Sequence, residues 1–176
     1  MTDQKHSVPK PPARLILTTP EHFLAYGFGA GLARKAPGTF GTLVAVPFWL
    51  LLAWWSPPWA WYAGGCVMLF VLGCWLCGES ARLLGLHDAP GIVFDEIVGL
   101  LVTTIPLLGM PFDLALLAWT LAAFVLFRFF DILKPWPIRW LDRHVHGGFG
   151  IMVDDLIAAG FAAGCLYGLR LIPAWG

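Results

Sequence analysis

Carboxylates recur at the ends of apolar segments in this sequence, where an ionised side chain is costly to bury. Asp95 and Glu96 are adjacent, Asp131 stands alone, and Asp154 and Asp155 form a second pair. Several carboxylates that share a low-dielectric site cannot all stay ionised unless a cation lies among them. Because no His or Cys is paired with them, the donor atoms are oxygens, which favours Mg²⁺ over Zn²⁺. We predict that all five are catalytic and that Glu96, Asp131 and Asp155 bind Mg²⁺, since only one residue of each adjacent pair needs to face the ion.

Basic side chains accompany these carboxylates. Arg128, Asp131 and Lys134 follow one another at three-residue spacing, and a helix that continues to Lys134 places them on one face. Arg139 follows in a short amphipathic segment, and Lys35 opens a loop that contains Pro and Gly. Mg²⁺ held by carboxylates beside Arg and Lys is typical of a site for a phosphate group. The alternative is structural: an Arg and a Lys that extend to the membrane surface, with Asp131 as their counter-ion.

Two glycine-containing loops precede apolar segments and are candidates for phosphate contact. The first runs from Lys35 to Gly41, and the second runs from His146 to Gly150. Backbone N–H groups in such a loop and at a helix start attract anions. A plain turn with a helix cap is the alternative for both, and for the first loop alone it is the favoured one. The predicted phosphate-binding residues are Lys35, Thr39, Arg128, Lys134, Arg139, His146 and Gly148.

The composition restricts the kind of protein that positions these side chains. Of 176 residues, 59% are hydrophobic and 12% are charged, against about 45–50% and about 25% in a soluble domain. A soluble domain of this length cannot bury so much apolar surface, so the composition indicates a membrane protein. Lys and Arg together number 11, as do Asp and Glu. Without a net positive charge to attract a nucleic acid backbone, a nucleic-acid-binding domain is excluded.

Five apolar stretches indicate the elements of the fold. They cover residues 43–55, 59–78, 92–110, 114–130 and 151–172. A helix needs about 20 residues to cross the hydrocarbon core, so the first stretch spans it only if its helix starts near Pro37. Residues 23–32 and 138–145 are too short to span, so we predict that both are interfacial elements, with a partly re-entrant element as the alternative for residues 23–32. We predict an all-α polytopic membrane protein with about five membrane-embedded helices plus short interfacial helices, organised as a cytoplasmic tail (residues 1–19) and a single helical membrane domain (residues 20–176).

Charged residues are distributed unevenly along the chain. Ten of the eleven Lys and Arg residues lie before the first stretch, between the second and third, or from the end of the fourth to the fifth; Arg170 is the exception. The positive-inside rule assigns these connections to the cytoplasm. Of the eleven acids, only Asp113 falls on the outer connections. We therefore expect the site at the cytoplasmic face, acting on the phosphate of a membrane lipid.

Four segments carry a more specific signal. They are Ala36-Pro-Gly-Thr-Phe-Gly-Thr-Leu43, Asp95-Glu-Ile-Val-Gly99, Phe127-Arg-Phe-Phe-Asp-Ile-Leu-Lys-Pro-Trp-Pro-Ile-Arg-Trp140 and Val145-His-Gly-Gly-Phe-Gly-Ile-Met-Val-Asp-Asp155. In this order they resemble the bacterial phosphatidylglycerophosphatase A family, and the resemblance runs from about Pro20 to the C-terminus. It implies a Mg²⁺-dependent, multi-pass enzyme of the inner membrane. Such an enzyme removes the terminal phosphate of phosphatidylglycerophosphate and yields phosphatidylglycerol, the precursor of cardiolipin.

Other mechanisms and classes remain open at this point. No residue stands out as a covalent nucleophile, so direct attack by water is the simplest mechanism, with a transient aspartyl-phosphate as the alternative. A non-enzymatic small membrane carrier of cations or lipids would use the same acids, and it predicts carboxylates along a continuous pore. A lipid phosphotransferase is a third class, but the spaced Asp motif typical of it is missing. The sequence does not indicate an oligomeric state.

Overall fold

A computed structural model describes residues 11–86, 89 and 91–172, which form helices and connecting loops without any strand. The α-helices are α1 (Ala13–Thr18), α2 (Pro20–Ala25), α3 (Pro37–Trp55), α4 (Trp59–Leu84), α5 (Phe94–Thr103), α6 (Leu114–Leu133), α7 (Ile138–His144) and α8 (Gly147–Arg170). Two 3-10 helices cover Gly27–Leu32 and Ile105–Leu107. The prediction of an all-α fold is confirmed.

Four of the helices are long and apolar enough to cross a membrane. They are α3, α4, α6 and α8, with 19, 26, 20 and 24 residues. At a rise of about 1.5 Å per residue, α3 and α6 each match a hydrocarbon core about 30 Å thick. The first predicted span does begin at Pro37, because proline fits the first turn of a helix, where its missing N–H is not needed.

The third predicted span, residues 92–110, differs from a membrane-length helix. It contains α5, which has 10 residues, and then the 3-10 helix Ile105–Leu107. α5 packs against α3, α4, α6 and α8, and seven of its ten residues are buried. Because protein rather than lipid surrounds it, the bilayer thickness does not set its length. The end of α5 nevertheless reaches the end of the bundle where α4 begins. Tyr62, in the first turn of α4, donates a hydrogen bond of 2.8 Å to the carbonyl of Leu101 in the last turn of α5.

Glycines allow the helices around α5 to approach closely. A Cβ on Gly99 of α5 would overlap the ring of Phe127 in α6, and a Cβ on Gly73 of α4 would lie 2.6 Å from the sulfur of Met152 in α8. Small residues at helix contacts are typical of membrane proteins, where close packing replaces the hydrophobic effect as the attraction between helices.

Tryptophans surround the connection between α3 and α4. This connection lies at the same end of the bundle as the hydrogen bond between Tyr62 and Leu101. The exposed ones are Trp54, Trp55, Trp59 and Trp61, and exposed indoles are typical of a membrane–water interface. Trp49, one turn earlier, is buried instead and donates a hydrogen bond of 2.9 Å to the Thr120 hydroxyl of α6.

The residues before α3 pack against the opposite end of the bundle. His22 of α2 is buried, and its Nδ1 lies 2.8 Å from the hydroxyl oxygen of Ser80 in α4. The Val93 N–H donates to the Ala25 carbonyl at 2.9 Å, which fixes the entry of the chain into α5. Residues 23–32, predicted as an interfacial element, contain the end of α2 and the first 3-10 helix. α1 lies within the segment predicted as a tail, and its Ile16 is buried.

Candidate active site

Three carboxylates from two helices meet near the end of the bundle where α3 begins. Asp95 and Glu96 lie in the first turn of α5, and Asp155 lies in α8. One oxygen atom of each lies within 4.8 Å of the others. The start of α5 also presents its unpaired backbone N–H groups and the positive end of its dipole to this region. We refer to these residues as the three-carboxylate group.

Each member of the group has an oxygen that lacks a hydrogen-bond partner. The buried atoms are Asp95 Oδ1, Glu96 Oε2 and Asp155 Oδ2. A buried carboxylate oxygen without a donor carries a large desolvation cost, so three of them close together stay ionised only if a positive charge lies among them. The donor set consists of oxygens only, and this set fits a small hard cation such as Mg²⁺.

Arg128 of α6 connects the group to two further helices. Its Nη1 lies 2.5 Å from Asp131 Oδ2 and 3.7 Å from Glu96 Oε1. The same nitrogen lies 3.5 Å from the hydroxyl oxygen of Thr42 in α3. Its Nε is buried without a partner. Because a guanidinium has five N–H donors in one plane, Arg128 keeps donors for another anion beside the carboxylates.

Asp131 lies beside the three-carboxylate group and not within it. Its Oδ2 is held by Arg128, and its side chain is close enough to Asp155 to interact with it directly. Asp95, which was predicted to be catalytic but not a ligand, occupies the third position in the group. The role of Asp131 as a metal ligand stays a prediction.

Lys134 does not lie on the helix face that its three-residue spacing predicts. α6 ends one residue earlier, and Lys134 has φ 42°, since a following proline disfavours the helical conformation. Its Nζ lies 2.5 Å from Asp142 Oδ1 in α7 and 2.6 Å from Asp154 Oδ2 in α8. Burial opposes the ammonium form, but these two hydrogen bonds outweigh it and raise the pKa of Lys134. Lys134 is thus a permanent cation that ties the end of α6 to α7 and α8.

The other predicted phosphate ligands lie in two loops and in α7. Lys35 is exposed in the loop before α3, and Thr39 is partly buried in the first turn of that helix. His146 is exposed and directly precedes α8. Arg139 of α7 donates a hydrogen bond of 3.2 Å to the Leu133 carbonyl, so it caps the end of α6.

One glycine of each predicted phosphate loop lies in a close contact between helices. A Cβ on Gly148 would overlap the Cys74 carbonyl of α4, and a Cβ on Gly38 would overlap the Glu96 carboxylate. The contact between Gly148 and phosphate stays a prediction, and the absence of a side chain at Gly148 lets α8 start against the backbone of α4.

Two residues of this region were not predicted to act in it. Thr42 donates a hydrogen bond of 2.9 Å to the Gly38 carbonyl while its oxygen lies near Arg128. Asp142 is one of the two partners of Lys134. The position of Thr42, one helical turn after Gly38 in the same motif, was an available signal. For Asp142 the sequence contains no such signal, because its partner Lys134 comes from the end of another helix.

The similarity to known proteins extends over most of the chain. The family model of phosphatidylglycerophosphatase A matches residues 23–170. Phosphatidylglycerophosphatase A of Escherichia coli is 44% identical over 155 residues, which cover 88% of this chain and 86% of that protein. Phosphatidylglycerophosphatase A of Haemophilus influenzae is 39% identical over 166 residues, with coverage of 91% and 94%. A protein of Bacteroides thetaiotaomicron, provisionally named a phosphatidylinositol-3-phosphatase, is 38% identical over 135 residues, with coverage of 75% and 82%. No solved structure matches the chain.

The matched range contains the three-carboxylate group, Arg128, Asp131 and Lys134. The match therefore extends over the four spanning helices and over the residues of the candidate site. A similarity in membrane-protein composition alone does not account for a match over the site. The chain is an enzyme of the phosphatase class, and it belongs to the phosphatidylglycerophosphatase A family.

Proposed function

We propose that this chain hydrolyses phosphatidylglycerophosphate to phosphatidylglycerol and inorganic phosphate, with Mg²⁺ as cofactor, at the cytoplasmic face of the bacterial inner membrane. The observation that carries the proposal is the three-carboxylate group with its unpartnered oxygens beside Arg128. The names of the two phosphatidylglycerophosphatase relatives indicate the substrate. Since phosphatidylglycerol is the precursor of cardiolipin, the reaction belongs to phospholipid biosynthesis.

The depth of the group supports a lipid substrate. Gly38, at the start of α3, lies against Glu96, and Arg128 and Asp131 lie in the last two turns of α6. Because α3 and α6 match the hydrocarbon core in length, their ends mark the membrane surface, where lipid phosphates lie. The accumulation of Lys and Arg at this end supports the cytoplasmic orientation.

Asp95, Glu96 and Asp155 would hold the Mg²⁺ ion. When bound, the ion would offset the charge of the phosphoryl oxygens and of the carboxylates around it. This ligand set differs from the one predicted from the sequence in that Asp95 replaces Asp131.

Arg128 and Asp131 have distinct roles in the proposed reaction. The free donors of Arg128 bind the terminal phosphate and stabilise the charge that develops on its oxygens. Asp131, oriented by Arg128 and adjacent to Asp155, accepts the proton of the attacking water. As the P–O bond to glycerol breaks, that proton passes to the leaving alkoxide oxygen. Lys35 and Thr39, at the start of α3, are proposed to contact the headgroup as it enters.

Phosphate release by the purified protein in a neutral detergent tests the proposal. We expect hydrolysis of phosphatidylglycerophosphate to stop when EDTA is added and to return with excess Mg²⁺ but not with excess Ca²⁺, which prefers more ligands at longer distances. Calorimetry should detect Mg²⁺ binding that Asp155→Asn abolishes. Full activity after exhaustive chelation would remove the metal from the proposal.

A second substrate is worth testing because of the Bacteroides thetaiotaomicron relative. Phosphatidylinositol 3-phosphate presents a phosphate monoester on a lipid headgroup, as phosphatidylglycerophosphate does. We expect preference for the latter, which kcat/KM values for both lipids measure directly. A higher value for the inositol lipid would reassign the substrate.

The carrier alternative is less consistent with the packing of the bundle. A carrier needs polar groups along its whole length, but the middle of the described bundle is filled by α5 and by apolar side chains around it, including Leu100, Phe127 and Leu166. The three-carboxylate group lies at one end of the bundle. This arrangement favours a membrane-surface enzyme.

A further inference from the structure

A cavity of about 430 Å³ opens beside α7. Its wall is formed by the last residues of α6, the Pro-rich turn that follows, and one side of α7. None of the three carboxylates lines it, and neither does Arg128. We refer to it as the α7 cavity.

The charge that this cavity presents is positive. Lys134 lies in its wall and pairs with two carboxylates, Asp142 and Asp154, so these three groups carry one net negative charge. Arg139 and Arg143, one helical turn apart, also line the cavity. Neither of them forms an ion pair within residues 11–86, 89 and 91–172. Two guanidinium groups thus line one concave surface without an ion pair of their own, and together with Lys134 and its two carboxylates they leave one net positive charge.

The geometry holds Arg139 and the helix α7 in place. Arg139 donates a hydrogen bond to the Leu133 carbonyl, which fixes its guanidinium at the wall and leaves other N–H donors for a ligand. Ile138 of α7 is fully buried and anchors the helix to the bundle. His144 stacks on Trp140 at 4.7 Å between ring centroids, which stabilises the far side of the cavity.

The cavity lies at the depth of lipid headgroups. It begins at the last residue of α6, a helix whose 20 residues match the hydrocarbon core. Two of its lining indoles are strongly exposed, Trp136 at 82% and Trp140 at 53%. Exposed indoles at the end of a spanning helix are typical of the interface between acyl chains and headgroups.

We propose that the α7 cavity binds the phosphodiester of an anionic phospholipid of the surrounding bilayer, as a second lipid distinct from the substrate. Guanidinium groups bind phosphate oxygens through paired, charge-assisted hydrogen bonds, and the two indoles pack against the glycerol backbone. A zwitterionic lipid carries a compensating ammonium group, for which the described cavity wall offers no unpaired carboxylate. The site is therefore selective for negative headgroups.

Native mass spectrometry of the full chain in a neutral detergent tests the proposal by counting bound lipids. Phosphatidylglycerol is titrated into the wild type, Arg143→Gln, Arg143→Lys and Arg14→Gln. Arg14→Gln is the matched control, since Arg14 is an exposed arginine of α1 outside the cavity. We expect Arg143→Gln to weaken binding of the first phosphatidylglycerol about tenfold, the effect of one lost charged hydrogen bond. Arg143→Lys should recover part of the loss, and Arg14→Gln should behave as the wild type.

Phosphatidylcholine in the same titration should bind the wild type and Arg143→Gln equally. Equal weakening by Arg143→Gln and Arg14→Gln, or no weakening by either, would overturn the proposal.

Kinetics separates a bilayer lipid from the substrate itself. With phosphatidylglycerophosphate as the only anionic lipid present, Arg143→Gln should leave KM and kcat unchanged. A raised KM in this variant alone would mean that the cavity holds the phosphodiester of the substrate, and our assignment would be wrong. If the wild type does not hydrolyse this lipid at all, the proposed function fails, while the lipid count still decides the role of the cavity.

Discussion

Removing one charge from the three-carboxylate group tests it without changing side-chain size. We expect Asp155→Asn to fold and purify normally and to lose on the order of a hundredfold or more in kcat, because an amide oxygen has no charge with which to hold Mg²⁺. Asp95→Asn and Glu96→Gln should behave similarly. The assay is phosphate release at saturating Mg²⁺.

Asp113→Asn is the matched control for this series. Asp113 caps α6 at the opposite end of the bundle, where its carboxylate accepts a hydrogen bond from the Leu116 N–H. Asn caps a helix as well as Asp does, so the control should keep wild-type turnover. Wild-type turnover in Asp155→Asn, Asp95→Asn and Glu96→Gln would show that these three carboxylates have no catalytic role.

Asp131 allows a sharper distinction between two roles. A carboxylate that serves only as the counter-ion of Arg128 should tolerate Asn, because a neutral amide still accepts the hydrogen bond. A carboxylate that takes up a proton should not tolerate it. We expect Asp131→Asn to lose on the order of a hundredfold in kcat with little change in KM. A variant with normal kcat and a raised KM would reduce Asp131 to a positioning residue.

The adjacent acids Asp154 and Asp155 contact different partners in the structure. Asp154 turns to Lys134 while Asp155 joins the three-carboxylate group, as expected for neighbours that point about 100° apart on a helix. Asp95 and Glu96 both join the group. The convergence of acids from α5 and α8 was predictable from the sequence. The partner of each acid was not predictable, because it depends on which helix lies opposite.

At the scale of helices, His22 and Ser80 join α2 to α4 in a buried contact. Burial lowers the pKa of His22, and the nearby charge of Glu21 opposes this only in part. Between this lowered pKa and the unfolded value near 6.5, the unfolded chain binds a proton that the folded chain does not. The contribution of His22 to stability is therefore present above about pH 6.5 and falls as the pH decreases below it.

Thermal unfolding in detergent checks this expectation. Between about pH 7.5 and pH 5.5, the Tm of the wild type should fall more than that of His22→Gln, which cannot take up the proton. Parallel curves for the wild type and His22→Gln would rule out this contact as a source of pH sensitivity.

The helix α5 marks the limit of prediction at this scale. Residues 92–110 were predicted as a span because hydropathy does not distinguish a helix that faces lipid from one enclosed by other helices. Both need apolar side chains, but only the first must match the bilayer in length. The positions of α3, α4, α6 and α8 were predictable because each has a lipid-facing side that requires a long apolar stretch.

The orientation of the whole molecule is open to a labelling experiment. In a variant that lacks the four native cysteines, new cysteines at Ser56 and Met110 should react with an impermeant reagent added from the periplasm. Cysteines at Arg82 and Arg143 should react only after the membrane is opened, because the positive-inside rule assigns their connections to the cytoplasm. The reverse pattern would place the carboxylates on the outer face and exclude the proposed orientation.

The carboxylates lie where α3 begins and α6 ends, at the depth where the headgroup of a bilayer lipid already resides. The proposed lipid substrate would reach the site by lateral diffusion and keep its acyl chains in the membrane throughout. The quantity that governs turnover is then the mole fraction of substrate in the bilayer, and not its amount per volume of solution. Adding inert lipid at constant total substrate should slow each enzyme molecule in proportion, whereas adding buffer should leave its rate unchanged. Under the proposed function, the position of the three-carboxylate group thus makes this protein a catalyst that works in two dimensions.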